Sequence, residues 1–303
     1  MTGPRAQTPA EPADHPLRAA LARGDLVHAS SAPALQHLLA APDQSLIGEA
    51  VVAQVRGMLT DLARQLAATG SPARPRPGAP EAVLARLSLD PELRAHCQAL
   101  ALEWRLARTL EGELAIDPVL SPLLQGWIGE ADAATGSLAM AALAAQARFA
   151  QAQRRMELPL AELPAELFHA ALAAARDALG DESAGDAGLR ASYDEAASRL
   201  ALLARLAREA GAQTARVLKL EDAGVALWLS ALAARSGESR DRTACAAADP
   251  HLGRLLLTLR AAGAAPAEAE RQALRVQPDA ELPRGLEDVG TREAAQWLAG
   301  EQA

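Results

Sequence analysis

Apolar residues recur through this chain at steps of three and four, and that spacing constrains the fold more than any other feature. In "DPELRAHCQALALEWRLARTLEGELAI", Leu93, Cys97, Leu100, Trp104 and Ala107 fall on one side of a 3.6-residue helix. Leu102, Leu106 and Leu110 fall on a second side, so this helix is expected to have neighbours on both. The stretch "DQSLIGEAVVAQVRGMLTDLARQLAATG" carries Leu46, Val51, Val55, Met58, Leu59, Leu62 and Leu66 as one stripe. Asp43 or Ser45 stands where a cap is needed, and Gly70 lies just past the end.

The residues that make the stripes point the same way. Most of the apolar content is Ala and Leu, the best helix formers, β-branched residues are sparse, and only seven residues are aromatic. The expected fold class is therefore all-α, with roughly ten to twelve helices in an irregular helical bundle or in two bundles. Ala offers little area to bury, so close approach of many helices must supply the stability, with Leu and Trp as larger anchors. A stripe of mostly small residues, Leu138, Ala142, Ala145, Phe149, Ala152 and Met156, suits such close packing in a helix expected over 137–157.

Punctuation divides the chain. Residues 1–14 read as a disordered N-terminal tail, followed by short helices over 16–23 and 33–40. "GSPARPRPGAP" places four prolines in residues 70–80 and reads as an extended linker inside an α-helical region of 15–180. "GDESAGDAG" is a second soft joint, and an α-helical C-terminal region is expected over 185–303. Its helices are placed near 187–210, 215–235, 250–262, 266–275 and 291–299. Three Asp-Pro-x-Leu stretches, at Asp90, Asp117 and Asp249, each read as a helix start, with Asp as N-cap and Pro at the first helical position. Their separations of 27 and 132 residues fit no single repeat. A partial HEAT-like helical solenoid is the alternative architecture. Asp43 and Asp90 lie 47 residues apart, each in a turn between Leu-rich helical segments, which is architecturally similar to HEAT and armadillo repeats.

Several chemistries lack the residues they need. Lys219 is the one lysine, against 29 arginines, a bias that fits a high-GC bacterial genome better than selection for phosphate binding. The net charge of −8 argues against nucleic acid as a partner. Cys97 and Cys245 have no metal-ligand spacing and are too few for a disulfide scaffold. No Walker A loop or Gly-x-Ser-x-Gly elbow occurs. The N-terminus has no apolar core of a signal peptide, and the apolar stretch 223–234 is far too short to span a bilayer, so a cytoplasmic location is expected.

Three local patterns remain. Glu166 and His169 stand at the Glu-x-x-His step used in di-iron carboxylate bundles, but a single pair is present, and a partly exposed polar pair is the favoured reading. Cys97 follows His96, yet helix neighbours point about 100° apart, and Cys97 lies on the apolar stripe. Residues 250–275 form a helix, an Ala-Ala-Gly turn and a second helix, as in a helix-turn-helix. Arg271, Gln272 and Arg275 would face DNA, but Glu268 and Glu270 would repel phosphate. These readings favour a non-enzymatic protein-interaction or scaffold module, with a protein partner or a homodimer as its assembly. No catalytic, metal or cofactor residue is assigned, and no cofactor, membrane or small-molecule ligand is inferred. A metal-binding enzyme using Glu166 and His169, and a transcriptional regulator using 250–275, are the alternatives.

Overall fold

The computed structural model describes residues 16–40, 48–68, 77–130, 132–180 and 186–300. The expected tail over 1–14 lies outside them, as do Asp43 and most of the proline-rich stretch. Among the described residues there are fifteen α-helices and no strand, so the class is all-α and the helix count exceeds the ten to twelve expected. No helix among these residues is long and apolar enough to cross a membrane.

The first six helices are α1 (Pro16–Ala40), α2 (Glu49–Ala68), α3 (Ala79–Leu87), α4 (Pro91–Leu114), α5 (Pro122–Glu130) and α6 (Ala133–Arg154). After them come α7 (Ala165–Leu179), α8 (Asp186–Ser192), α9 (Arg199–Arg208), α10 (Thr214–Val217) and α11 (Leu220–Ser236). The last four are α12 (Arg240–Ala248), α13 (Gly253–Ala261), α14 (Pro266–Val276) and α15 (Thr291–Leu298).

The extra helices come from breaks that apolar periodicity does not register. The helix expected over 187–210 is two, α8 and α9, parted by a short 3-10 turn that Asp194 caps, after which Ser198 caps α9. The one expected over 215–235 is interrupted before Leu220 and again at Gly224, whose φ of 68° takes it out of helical geometry. A side chain there would approach Ser121 Cβ to 3.1 Å, so the kink lets the chain pass close beside the start of α5. In the other direction, α1 runs unbroken through Pro33, where two short helices were expected. Ala79 and Pro80, assigned to the linker, are the first residues of α3, with Gly78 at a φ of 82° as its N-cap.

The Asp-Pro-x-Leu stretches behave differently from one another. Asp90 is a true N-cap, its carboxylate accepting from the Glu92 and Leu93 amides. Asp117 and Asp249 instead close short turns, accepting from the amides of Val119 and Leu120 and of His251. Neither turn continues into a helix at once. Pro122 disfavours helical geometry at Ser121, so α5 starts one step later with Ser121 Oγ as its cap. Leu252 takes a φ of 58°, and α13 begins only at Gly253. Asp132, not singled out by pattern, caps α6 through the amides of Ala134 and Thr135.

Two clusters of buried side chains form the interior. The larger draws on α1, α5, α9 and α11 to α15, together with Leu106 and Leu110 of α4 and Leu138, Ala142 and Ala145 of α6. The smaller draws on α2, α3 and α7, with Leu93, Cys97 and Leu100 of α4 and Phe149 of α6. Helices α4 and α6 therefore serve both clusters, which is why α4 carries two apolar faces. Helix α11 is buried almost all round, from Ala223 to Ala233, as a central helix must be. Its Trp228 is fully buried, and the indole N–H donates to the Leu218 carbonyl at 3.2 Å.

The first turns of α1 meet the start of α13 at close quarters. A Cβ on Gly253 would come within 2.7 Å of the backbone of Ala20 and Leu21. Gly253→Ala is expected to lower stability by about 1–3 kcal/mol, the usual range for overpacking a tight contact. Urea unfolding should show a lower midpoint with an unchanged slope.

Candidate functional site

At the junction of the two clusters lies a buried ionic group. Glu103 of α4 receives both guanidinium nitrogens of Arg199 from α9, at 2.7 and 3.0 Å. Arg240 of α12 adds two more bonds, both at 2.8 Å. Arg199 also reaches Gln146 Oε1 of α6 at 3.1 Å and lies 3.6 Å above the Phe149 ring. Burial opposes the Glu103 charge, but the two arginines outweigh it and hold the carboxyl far below the usual range. All its partners are internal, and this group ties four helices together. Glu103→Gln removes the charge that two arginines share, and a loss of about 3–5 kcal/mol is expected. Chemical denaturation at neutral pH measures it.

The accessible chemistry is elsewhere, in a cleft of about 600 Å³ bordered by α1, α4, α12, α13 and α15. Helix α1 supplies Asp25 and His28, one face of α12 supplies Asp241 and Cys245 a turn apart, and α13 supplies Arg254. Arg254 donates to Asp25 at 3.0 and 2.6 Å and to Glu238 at 2.5 Å, so it fastens α1 to α13. Burial alone would weaken its charge; the two carboxylates more than offset that.

Below Asp241 is His96, buried on α4, with Nδ1 2.8 Å from Asp241 Oδ2. The buried Nε2 of His96 has no partner. Its partner Asp241 comes from a distant helix, while Glu92, one turn before it on α4, is exposed. Cys97 is fully buried, and burial pushes its thiol well above the ordinary range. Cys245 is half-buried, pushed up to about 12 by burial and by Asp241. Neither thiol is an activated nucleophile at neutral pH.

His28 also lines the cleft, and Asp249 lies buried behind α1, against Gly24. Asp249 is buried, and its Oδ1 accepts from the His251 backbone and ring, while Oδ2 has no partner. His28 Nε2 is also buried and unpartnered. Burial lowers the His28 pKa from 6.5, partly countered by Asp249. The unfolded chain therefore binds a proton that the folded chain refuses in the window just below pH 6.5. Stability should fall as pH drops through that window, and His28→Gln should flatten this part of the profile, as thermal melts between pH 5 and 8 would show.

The patterns singled out in the sequence are not assembled into sites. Glu166 and His169 are both exposed on α7, and His169 Nδ1 faces the Arg190 guanidinium at 3.3 Å. A cation there opposes a metal ion, and no group of three or more His, Cys, Asp or Glu side chains suited to a metal occurs among the described residues. Asp186 pairs with Arg176 and Arg190. In the 250–275 segment, α13 is almost wholly buried and Gln272 accepts from the Leu220 amide at 3.0 Å. Arg271 pairs with Glu268, and Arg275 with Glu221 at 2.5 Å, both at the surface.

Asp25, His28, Asp241 and Arg254 were not found by sequence reasoning. They carry no local motif, and the Asp25–Arg254 pair spans 229 positions. Comparison with protein-family models, with curated proteins and with solved structures finds no match.

Proposed function

We propose that this chain is a protein-interaction module, an irregular helical bundle that docks a partner or a second copy on the outer side of α1. The observation that carries this reading is the adjacent pair Leu26 and Val27, which are 70% and 47% exposed. Isolated surface leucines are ordinary, but two large apolar neighbours side by side on a helix surface form a contact that water solvates poorly. They follow Asp25 directly, so the salt bridge to Arg254 holds the pair in a set position. The bundle reading is preferred to a HEAT-like solenoid because α3 packs against α2 and α7 instead of forming a hairpin with α4.

Light scattering over a concentration series, combined with affinity capture, tests the reading. Self-association or capture of a specific protein is expected, and Leu26→Arg should weaken it by about tenfold or more, as placing a charge in a desolvated contact does. A monomer at every concentration that captures no specific protein would sink the proposal. Glu166 and Arg271, carriers of the metal and DNA alternatives, serve as controls: their alanine variants should associate as the parent does.

A further inference from the structure

Helix α1 is held by apolar contacts toward its two ends and by polar ones along its middle. Leu17, Ala20 and Leu21 are buried where α1 meets α13, and Leu35 is buried in the smaller cluster. Between them, over 22–34, none of the described apolar side chains is buried. Gly24 rests on the buried Asp249 carboxylate, Asp25 is clasped by Arg254, and His28 turns into the cleft. The same segment is a poor helix in itself. Gly24 and Pro33 both disfavour a helix interior. Ser30 and Ser31 turn their hydroxyls back onto the Val27 and His28 carbonyls, at 3.0 and 2.8 Å.

Two buried polar atoms beneath this segment have no partner, His28 Nε2 and Asp249 Oδ2, so they are not bonded to each other. With its proton on Nδ1, neutral His28 leaves Nε2 a bare acceptor, which burial tolerates at modest cost. An imidazolium carries N–H on both nitrogens, and the one at Nε2 would be a buried charged donor with nothing to receive it. The charges facing His28 do not relieve this. Asp249, ahead of α13, and Asp25, on α1 itself, attract a proton, while Arg254 of α13 and Arg242 of α12 repel it. Asp249 is already engaged through Oδ1 by the His251 backbone and ring, and Asp25 by Arg254, whose other side Glu238 holds. Across the cleft, Asp241 of α12 is turned to His96, and burial keeps Cys245 a thiol. The residues of α4 and α15 that line the cleft are uncharged. Burial outweighs the attraction, and His28 takes up a proton less readily than a solvated imidazole does.

We propose that residues 22–34 of α1 form a latch operated by a proton on His28. With His28 neutral, the segment lies closed over Asp249 and forms one wall of the cleft. In mild acid the imidazolium moves out to water, the Asp25–Arg254 clasp parts, and the segment opens between its anchors at Leu21 and Leu35. Opening hydrates the Asp249 oxygen that Gly24 covers and removes the α1 wall of the cleft. The latch works in the isolated chain, whether or not Leu26 and Val27 dock a partner.

Hydrogen exchange of the full chain, read by mass spectrometry at pH 7.5 and 5.5 with labelling times scaled to the chemical exchange rate, tests it. These values straddle 6.5, where a solvated imidazole titrates. Peptides covering 22–34 are expected to exchange faster than those of α4 and α11 at both. Their protection should fall by roughly threefold or more from pH 7.5 to 5.5, because the open segment binds the proton more tightly than the closed one. His28→Gln should abolish this acid response, and His169→Gln, at an exposed histidine of α7, should leave it intact. Asp25→Asn breaks the clasp without touching the imidazole, so it should speed exchange of 22–34 already at pH 7.5 while α4 and α11 stay protected. Four results overturn the proposal: slower exchange of the segment in acid, exchange of 22–34 only in step with α11, an acid response that survives in His28→Gln, or unchanged exchange in Asp25→Asn. None of these depends on association, so the docking reading and the latch stand or fall separately.

Discussion

The fully buried Glu103 carboxylate, shared by Arg199 and Arg240, is the interaction on which the two halves of the interior depend. An isolated carboxylate in this position would be protonated or hydrated, because removing a charge from water costs many times what one hydrogen bond returns. Four charged hydrogen bonds from two guanidinium groups offset that cost, and they do so only if α4, α9 and α12 are all in register. Gln146 brings in α6, bonding Arg199 on one side and accepting no freedom on the other, where its amide donates to the Pro118 carbonyl at 2.8 Å. An Ala-rich interior defines register weakly, since one small side chain packs much like the next. A directional ionic group in the middle of such an interior supplies the specificity that alanine cannot.

The same dependence on helix register explains the cleft. Helix α12 is held at one end by Arg240, which faces inward to Glu103, while the next residue, Asp241, faces the cleft and His96. Adjacent residues on a helix point about 100° apart, so fixing Arg240 also aims Asp241 and, one turn on, Cys245. Helix α1 forms the opposite wall because Gly253 lets it approach α13 closely and Arg254 clasps Asp25. The cleft is thus built by long-range placement, with His28 on its α1 wall.

Much of the helical framework was legible from spacing. The stripe Leu93, Cys97 and Leu100 is buried in the smaller cluster, and the second face with Leu106 and Leu110 is buried in the larger. Helix ends were less legible, because they depend on single residues whose role changes with context. Asp90 caps a helix, whereas Asp117 and Asp249 in the same Asp-Pro-x-Leu pattern close turns, since Pro122 and the left-handed Leu252 block immediate propagation. Pro33 reads as a break, yet α1 continues through it.

By itself, then, the sequence determined the class: Ala and Leu at helical spacing, with few β-branched residues, leave no route to a sheet. It also determined that His96 and Cys97 diverge on their helix, and that Glu166 and His169 have no second pair to complete a metal centre. Only the tertiary structure decided that His96 meets Asp241, that Glu103 meets two arginines, and that Asp25 meets Arg254 across 229 positions. Helical periodicity reports which face of a helix is apolar. Which helix that face meets is settled by close approaches and buried charges, and these become visible only once the chain is packed.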